Sequence, residues 1–405
     1  MRSYLIVSIL CLLLLACRED QKVLIEEISV PTTSESKYPS LYNVNDRLLM
    51  TWTTPYKDSL VALKYAEFDK GAWKIPSAVT HGKDWFVNWA DFPSIVGNNE
   101  HRWTFVLKKS DPATFAYDIV LQGSSDRGET WKEIKTVHDD STKTEHGFVS
   151  MLPISDQKTL VAWLDGRNTA GGHDHSGHGN GAMQLRSAII DDQGITIEEG
   201  VIDHRTCDCC QTSMTMTDDG PMIVYRDRSK EEVRDIFFSL YQNNRWTQPI
   251  PVFEDGWQIN GCPVNGPSVD QKEGLLAVTW FSAANNKPSV KLALWESEDK
   301  KFGSPIIVSE KGAVGRVDLK VIDSEQVAVS WMEEVNGEHL VKIALVKTGV
   351  IERMDVVGRI DGSRSSGFPQ MELVGDELIF AWTGTKDIMN IEMRKLQLSN
   401  WLKKK

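Results

Sequence analysis

Histidine and cysteine are concentrated in a short part of the chain, and both are metal-ligating residue types. Four of the nine histidines lie between residues 173 and 210, and so do three of the six cysteines. These residues, with one further cysteine downstream, are His173, His175, His178, His204, Cys207, Cys209, Cys210 and Cys262. Imidazole and thiolate suit zinc or copper, with copper(I) favoured by soft sulfur and zinc by a tetrahedral set. The cluster therefore predicts a candidate metal site, with copper or zinc as the candidate ion.

The four cysteines beyond residue 200 also suit two other kinds of chemistry. An even number of cysteines in an oxidising compartment is most simply explained by two disulfides, and four cysteines allow three pairings. Adjacent Cys209 and Cys210 point to opposite sides of an extended strand, so they would bridge different partners. The spacing Cys-x-Cys-Cys matches no standard zinc ribbon, and a redox-active thiol pair is a third alternative. Disulfides are the first expectation, and the metal site and the thiol pair stay open.

A second set of reactive residue types consists of carboxylates that each lie two residues after a repeated aromatic residue. They are Asp165, Asp227 and Glu333, and Arg167 and Arg228 accompany the first two. Carboxylates that converge beside arginines suit glycoside hydrolysis, in which one acid protonates the leaving oxygen and another group stabilises positive charge on the sugar. We take these five residues as the candidate catalytic set. The alternative is that the carboxylates pair locally with arginines and fix loops, because ion-pair networks often imitate active sites.

These residues belong to a unit that recurs along the chain. Each copy has a Pro or small residue near a Ser, then about twelve residues, then an apolar strand that usually ends in Trp. The anchors of the copies are Ser40, Ser94, Ser150, Ser213, Ser268, Asp318 and Gln370. Each copy reads as four short strands with period-2 patterning, and a four-stranded repeat of about fifty residues is typical of a β-propeller blade. We therefore expect an all-β propeller of four-stranded antiparallel blades, with seven blades preferred over six.

The ring is expected to close through the two ends of the chain. The last copy has only three evident strands, and Val23 to Ser29 can supply its missing outer strand. Closure would remove the exposed edge that an open ring presents for aggregation. Residues 23–405 are therefore expected to form a single propeller domain.

The blade order also predicts which loops share one face. The loops between second and third strands, and the loops that join successive blades, lie on one rim with the histidines, cysteines and carboxylates described above. The same rim would carry further candidates for substrate binding, which are Arg316, Arg364, Trp85, Trp89 and Trp257. The arginines can hold an anion, and the tryptophans suit stacking on sugar rings, although packing against neighbouring loops is an equal alternative.

Residues 124–131 carry a motif that resembles one of a known family. The matching residues are Ser124, Asp126, Gly128, Thr130 and Trp131. They fit the Asp-box pattern S-x-D-x-G-x-T-W, which marks the sialidase-like, or BNR-repeat, propellers, and fainter copies lie at 69–73 and 243–246. In that family the motif caps a hairpin between third and fourth strands, on the face opposite the ligand site. The resemblance therefore implies the fold and not the activity.

The resemblance also implies a sialidase-type catalytic set, and this chain departs from it. That family holds the substrate carboxylate with three arginines and uses an Asp acid/base with a Tyr nucleophile assisted by Glu. Its first arginine lies two residues before a Pro on the first blade, whereas Lys37-Tyr38-Pro39 places a lysine there. Lysine keeps the charge but loses the bidentate geometry, and no Tyr–Glu pair is recognisable in the sequence.

The first residues read as a targeting segment. An apolar run near the N-terminus ends in Leu14-Leu15-Ala16-Cys17, which resembles the lipobox of bacterial lipoproteins. The resemblance implies a signal peptide over 1–16, lipidation at Cys17 and a tether over 17–22. Arg18 after the cysteine suggests the outer membrane, so we expect a cell-envelope lipoprotein whose membrane contact is its lipid anchor.

Composition narrows the function further. The chain of 405 residues has 45 basic and 57 acidic residues and a net charge of −12, which excludes a general nucleic-acid binder because such proteins neutralise phosphates. We therefore expect a monomeric envelope protein that acts on an extracellular glycan or glycoconjugate, by sialidase-type exo-glycosidase hydrolysis or by binding. The alternatives are a copper- or zinc-binding envelope protein and a non-catalytic interaction scaffold.

Overall fold

The structure is a computed structural model that covers most of the chain. The described residues are 24–32, 35–169, 181–385 and 388–403. The predicted features that lie outside them are the signal peptide 1–16, the tether 17–22 with Cys17, and the histidines His173, His175 and His178. Among the described residues, no helix is long and apolar enough to cross a membrane.

The first half of the described chain forms a short N-terminal strand and three blades. The N-terminal strand is β1 (Ile25–Glu27). Blade 1 contains β2 (Lys37–Val44), β3 (Arg47–Tyr56), β4 (Leu60–Asp69), β5 (Ala72–Trp73) and β6 (Ser77–Gly82). Blade 2 contains β7 (Ile95–Gly97), β8 (Arg102–Lys109), β9 (Tyr117–Ser124) and β10 (Lys132–Thr136). Blade 3 contains β11 (His146–Ser155), β12 (Lys158–Asp165), β13 (Met183–Asp191) and β14 (Thr196–Thr206).

The second half forms four more blades. Blade 4 contains β15 (Ser213–Thr217), β16 (Gly220–Arg226), β17 (Ile236–Gln242), β18 (Arg245–Trp246) and β19 (Ile250–Phe253). Blade 5 contains β20 (Ser268–Lys272), β21 (Leu275–Ser282), β22 (Ser289–Glu296), β23 (Lys301–Phe302) and β24 (Ile306–Ser309). Blade 6 contains β25 (Ala313–Val321), β26 (Gln326–Val335), β27 (Glu338–Lys347) and β28 (Val350–Ile360). Blade 7 contains β29 (Gln370–Val374), β30 (Glu377–Gly384) and β31 (Asn390–Gln397).

In the part of the chain that the structure describes, the helical elements are short. They are α1 (Leu398–Trp401) and the 3-10 turns Lys57–Ser59, Ala284–Asn286 and Arg364–Ser366. All strand pairs within the blades are antiparallel, and the first strands of neighbouring blades contact one another round the ring. In blades 1, 4 and 5 the fourth strand is interrupted, so that two short pieces pair with the third strand. The predicted seven-bladed all-β propeller of four-stranded antiparallel blades is confirmed.

Blade 7 is completed by the N-terminal strand, as the sequence predicts. β1 pairs antiparallel with β31, with Ile25 opposite Leu396 and Glu27 opposite Arg394. The main-chain N–H of Ile28 extends the contact by donating to the carbonyl of Met393 at 3.1 Å. The outer strand of the last blade therefore comes from the other end of the chain, and the ring is closed.

The repeated aromatic residue of the second strand fills the space between neighbouring blades. Trp163, Trp280, Trp331 and Trp382 are each at most 1% exposed. Trp331 packs on side chains of blade 5 and Trp382 on side chains of blade 6, so each joins its own blade to the preceding one. Side chains alternate in direction along a strand, which is why one position in each repeat always faces the same neighbour.

The motif at 124–131 forms the turn between β9 and β10, which are the third and fourth strands of blade 2. Asp126 Oδ1 accepts the main-chain N–H of Thr130 at 2.9 Å, and the hydroxyl of Ser124 accepts the N–H of Gly128 at 2.8 Å. The hydrogen bonds from Thr130 lower the pKa of Asp126 to about 2. Trp131 packs edge-on against Tyr65 of blade 1, with ring centroids 5.4 Å apart. The motif thus fixes a hairpin and ties two blades together.

Candidate functional site

The chemistry-bearing residues meet on one face, which we call the upper face. It is formed by the loops between second and third strands and by the loops that join successive blades, which are 83–94, 137–145, 207–212, 254–267, 310–312 and 361–369. A central channel of about 340 Å³ runs between the first strands, and Asp91, Phe148 and Phe368 lie at its upper end. We call this upper end the channel mouth.

Four cysteines lie close together beside the mouth. Cys207 Sγ is 3.9 Å from Cys209 Sγ and 3.5 Å from Cys210 Sγ, and the three sulfur atoms all lie within 4.8 Å of one another. Cys262 comes from the loop between β19 and β20 and lies near Cys209, whose thiol lowers the pKa of the Cys262 thiol. Cys207 and Cys210 are buried, whereas Cys262 is exposed, and all four are free thiols. We call these four residues the thiol cluster.

Positive charge and main-chain donors surround the thiol cluster. Arg234 Nη1 donates to Cys207 Sγ at 3.2 Å, and the main-chain N–H of Asn265 donates to Cys210 Sγ at 3.4 Å. Burial raises the pKa of the Cys207 thiol, but hydrogen bonds with Cys209 and Cys210 and the charge of Arg234 outweigh this effect, so the pKa is well below its ordinary value. Arg234 and the neighbouring thiols therefore favour the thiolate form of Cys207.

The remaining predicted metal ligand lies apart from these sulfurs. His204 is exposed, and its Nδ1 lies 3.4 Å from Nε2 of Gln184. Its ring is absent from the groups of metal-ligating atoms that converge among the described residues. The thiol cluster thus stands without a histidine from the described part of the chain.

Arg228 belongs to an ion-pair network next to the thiol cluster. Its guanidinium binds Asp208 Oδ2 and Glu232 Oε1, both at 2.8 Å, and Glu232 also binds Arg234 at 2.8 Å. Asp227, its neighbour in the sequence, has a pKa raised to about 7, first by burial and then by the charge of Asp203. The structure therefore pairs Arg228 with Glu232 of its own loop and with Asp208 of the loop that carries Cys207, and not with Asp165.

Asp165 and Glu333 are held by the tryptophans that precede them. Trp163 Nε1 donates to Asp165 Oδ2 at 2.8 Å, and Trp331 Nε1 donates to Glu333 Oε2 at 2.9 Å. Residues two apart on a strand share a face, so the carboxylate meets the indole N–H of the preceding aromatic residue.

Cations complete the local partners of these two carboxylates. Arg167 Nε lies 2.7 Å from Asp165 Oδ1, and Lys342 Nζ lies 2.7 Å from Glu333 Oε1. With an indole and a cation each, the two side chains have local structural partners. These contacts favour the local interpretation of their spacing, in which they fix loops and strands.

A pair of buried histidines that the sequence analysis did not select lies next to Asp165. The rings of His138 and His146 stack with centroids 3.6 Å apart. Asp140 Oδ2 is 3.0 Å from His146 Nε2 and 3.2 Å from Arg167 Nη2. The signal available in the sequence was two histidines and an aspartate around one inter-blade loop. The sequence analysis selected carboxylates that lie two residues after a repeated aromatic residue, and this criterion does not pick out histidines in a loop.

Two carboxyl groups and a tyrosine form a buried chain of hydrogen bonds behind the mouth. The Tyr117 hydroxyl lies 2.9 Å from Asp91 Oδ2 and 2.7 Å from Glu145 Oε1. Burial raises the pKa of Asp91 to about 7 and that of Glu145 to about 8. A phenol has one proton to donate, so the second hydrogen bond requires a protonated carboxyl group. A Tyr–Glu contact thus exists, but Tyr117 is fully buried.

Aromatic rings and guanidinium groups form a wall beside Phe368, which lines the channel at its mouth. Trp89 stacks on Phe368 with centroids 5.6 Å apart and ring planes 14° from parallel. The guanidinium carbons of Arg316 and Arg364 lie 4.9 Å and 5.8 Å from the Trp89 ring. Arg316 is buried and donates to the carbonyl of Gly367 at 2.6 Å, whereas Arg364 is exposed. The structure therefore brings three of the predicted binding residues together.

The other two predicted tryptophans lie elsewhere. Trp257 is 6% exposed and packs in the core, edge-on to Phe281. Trp85 is half-buried and forms an isolated bridge with Lys108 of β8. Both make the loop-packing contacts that the sequence analysis kept as the alternative to sugar stacking.

The chain was compared with known proteins. No protein-family model matches it, and no curated protein matches it. Among solved structures, the polysaccharide lyase Uly1 is 11% identical with a TM-score of 0.50, over 95% of this chain and 94% of that one. The K499G mutant of NanB sialidase from Streptococcus pneumoniae is 11% identical with a TM-score of 0.49, over 93% and 71%. Likeness at these identities shows the fold alone.

Proposed function

We propose that the protein binds and processes an anionic extracellular glycan at the channel mouth. The observation that carries the proposal is the grouping of Trp89 with the guanidinium groups of Arg316 and Arg364. A tryptophan face suits stacking on a sugar ring, and a guanidinium binds a carboxylate or sulfate with two parallel hydrogen bonds. The mouth thus offers both kinds of contact that an acidic sugar needs.

The local charge supports an anionic ligand. The whole chain carries a net charge of −12, which would repel an acidic sugar from most of its surface. Arg316 Nη1 donates to the Ser366 hydroxyl and to the Gly367 carbonyl, and its Nη2 donates to the Ser363 carbonyl, so it positions the 361–369 loop. Arg364, which is exposed on the same loop, is the cation that a ligand can reach.

Acid chemistry is available next to this binding wall. Asp91 follows Trp89 by two residues in the same loop, and Tyr117 links it to Glu145. A carboxyl group with a pKa of about 8 is protonated at neutral pH and can donate a proton to a leaving oxygen. We assign Glu145 as the acid for processing, with Tyr117 linking it to Asp91, which lines the channel. Asp165 and Glu333 are bound to indoles and are less free to take this role.

Two further considerations support an extracellular polysaccharide as the ligand class. Uly1, which has the same fold, is a polysaccharide lyase. The lipobox-like sequence ending at Cys17 would place the protein in the cell envelope, where such polymers are met. A Cys17→Ser variant that stayed in the membrane fraction would contradict the anchoring part of the proposal.

Binding is tested by calorimetry with uronate- or sialate-bearing oligosaccharides and with neutral ones of equal length. We expect binding of the anionic set only, weakened roughly tenfold or about 1.4 kcal/mol by Arg364→Ala or by Trp89→Ala. The control is Arg359→Ala, because Arg359 is exposed on β28 and pairs with Glu338. Equal affinity for neutral sugars, or unchanged affinity in both mouth variants, would overturn the proposal. Glu145→Gln is expected to keep binding and lose turnover.

A further inference from the structure

The thiol cluster brings together sulfur atoms from two separate loops. Cys207, Cys209 and Cys210 come from the loop between blades 3 and 4, and Cys262 comes from the loop between blades 4 and 5. Sulfur atoms are soft ligands that bind zinc and copper(I) in preference to harder ions. The convergence is independent of the glycan ligand, because it lies in side chains that the binding wall does not use.

The distances between the sulfur atoms are those of a coordination shell. With a metal–sulfur bond of about 2.3 Å, sulfur atoms are about 3.8 Å apart in a tetrahedral set and about 4.0 Å apart in a trigonal one. The observed separations from Cys207 Sγ are 3.9 Å to Cys209 and 3.5 Å to Cys210. A disulfide joins only two sulfur atoms, and it would leave a third thiol against the bridge. Three mutually close sulfurs are therefore better explained by a shared ion.

The surroundings supply what a metal–thiolate centre needs. Three or four thiolates around one ion carry a net negative charge, and Arg234 Nη1 lies 3.2 Å from Cys207 Sγ to balance it. The N–H of Asn265 donates to Cys210 Sγ. Hydrogen bonds of this kind orient the ligands of metal centres and tune them. Arg234 is itself held by Glu232, so its position is fixed independently of the sulfurs.

We propose that Cys207, Cys209, Cys210 and Cys262 hold one thiophilic d10 metal ion, either Zn²⁺ or Cu⁺. Zn²⁺ would take all four sulfurs, whereas Cu⁺ would be satisfied by the three that lie within 4.8 Å of one another. Binding releases the thiol protons and adds no redox step.

The ion would also support the channel mouth. Gln211 and Thr212 directly follow the cysteines, and they donate to the carbonyls of Ala90 and Phe148 at 2.6 Å and 3.2 Å. An ion held by both loops would therefore fix the segment that lies against Asp91 and the channel. The bound ion would thereby cross-link the loop that precedes blade 4 to the loop that follows it.

The test uses the full chain, purified anaerobically in detergent without a polyhistidine tag. We expect about one zinc or copper ion per chain, and X-ray absorption to show three or four sulfur neighbours at about 2.3 Å. Cys209→Ser with Cys210→Ser is expected to reduce the metal content at least tenfold. Cys262→Ser separates the two ions, because a four-sulfur zinc site loses most of its metal and a three-sulfur copper site keeps it. His204→Ala is the matched control and is expected to leave the metal content and the number of sulfur neighbours unchanged.

Several outcomes would overturn the proposal. The proposal fails if the chain is metal-free and takes up neither Zn²⁺ nor Cu⁺ on reconstitution, and if mass spectrometry finds disulfides or free thiols. Nitrogen neighbours in the absorption spectrum, with a metal content that survives the cysteine variants, would place the metal elsewhere. The absorption spectrum of the unmutated chain decides the question even where a cysteine variant fails to fold. None of these readouts uses a glycan, so failure here and failure of the proposed function are distinguishable.

Discussion

The phenol of Tyr117 lies between the carboxyl groups of Asp91 and Glu145, and this arrangement sets the protonation of all three. Its hydroxyl is 2.9 Å and 2.7 Å from their oxygens, and burial raises both carboxyl pKa values, to about 7 and about 8. The sequence could not show the group, because Tyr117 is in blade 2 and Glu145 lies 28 positions further on, at the end of the loop that leads to blade 3. What the sequence does show at residue level is local: a carboxylate two positions after Trp163 shares a strand face with it.

The raised pKa values predict how stability depends on pH. In the unfolded chain these carboxyl groups lose their protons near pH 4, whereas the folded chain keeps them to about pH 7 or 8. The folded state therefore binds more protons in this window, so the free energy of unfolding falls as the pH rises. Glu145→Gln removes one such group and is expected to make the fall shallower, by up to roughly 1.4 kcal/mol per pH unit.

Urea denaturation at about pH 5, 6.5 and 8 measures this slope. Glu338→Gln is the control, because Glu338 is half exposed on β27 and pairs with Arg359. The control is expected to keep the slope of the unmutated chain. If Glu145→Gln kept it too, Glu145 would be ionised in the folded protein at neutral pH, and its assignment as an acid would fail.

At the scale of the element, the hairpins between third and fourth strands show how a short motif acts. The motif at 124–131 places Gly128 at φ +88°, where a Cβ would lie 2.4 Å from Cε1 of Tyr65. The fainter copy at 69–73 places Gly71 at φ +83° with open space around it. The sequence predicts both turns from their residue types. The sequence does not reveal that the turn at Gly128 packs against the neighbouring blade whereas the turn at Gly71 does not.

The two glycines give a matched pair of variants. Both Gly→Ala changes force alanine into a left-handed conformation, which costs roughly 1–2 kcal/mol. Only Gly128→Ala also displaces the Tyr65 ring, which packs against Trp131, so it is expected to lose at least about 1 kcal/mol more stability than Gly71→Ala. Chemical denaturation of the two variants measures the difference. Equal losses would show that the motif does not contribute to packing between blades 1 and 2.

At the scale of the whole molecule, the ring and the site differ in how far the sequence predicts them. The seven blades follow from a repeat in which apolar and polar residues alternate along each strand. Ring closure follows from the missing outer strand of the last copy, which the N-terminal strand supplies. The upper face has no such pattern, because its groups meet only when neighbouring blades pack together. Asn265 reaches Cys210 across 55 positions, and Arg316 reaches Gly367 across 51. The sequence spacing therefore identifies the cysteines of the thiol cluster as reactive residues, but it does not identify Arg234 and Asn265 as their hydrogen-bond partners.

Ring closure yields a prediction for the N-terminal strand. β1 covers the edge of β31, with Ile25 opposite Leu396 and Glu27 paired with Arg394 at 2.9 Å, and Trp73 Nε1 donates to the carbonyl of Ser29 at 3.0 Å. Deleting residues 25–28 would expose the N–H and C=O groups of β31, and unpaired strand edges promote association between chains. We expect a loss of roughly 1–3 kcal/mol in stability and a concentration-dependent oligomer in light scattering.

A substitution pair tests the same contact without shortening the chain. Ile25→Ser removes a side chain that packs against the core between blades 6 and 7, whereas Leu24→Ser changes a neighbour that is 67% exposed. Ile25→Ser is expected to lower the unfolding temperature and Leu24→Ser to leave it unchanged. If the deletion and Ile25→Ser both left a stable monomer, the first and last blades would hold together through the contacts of β2 and β3 with β29, β30 and β31. The N-terminal strand would then be a peripheral addition to a ring that closes without it.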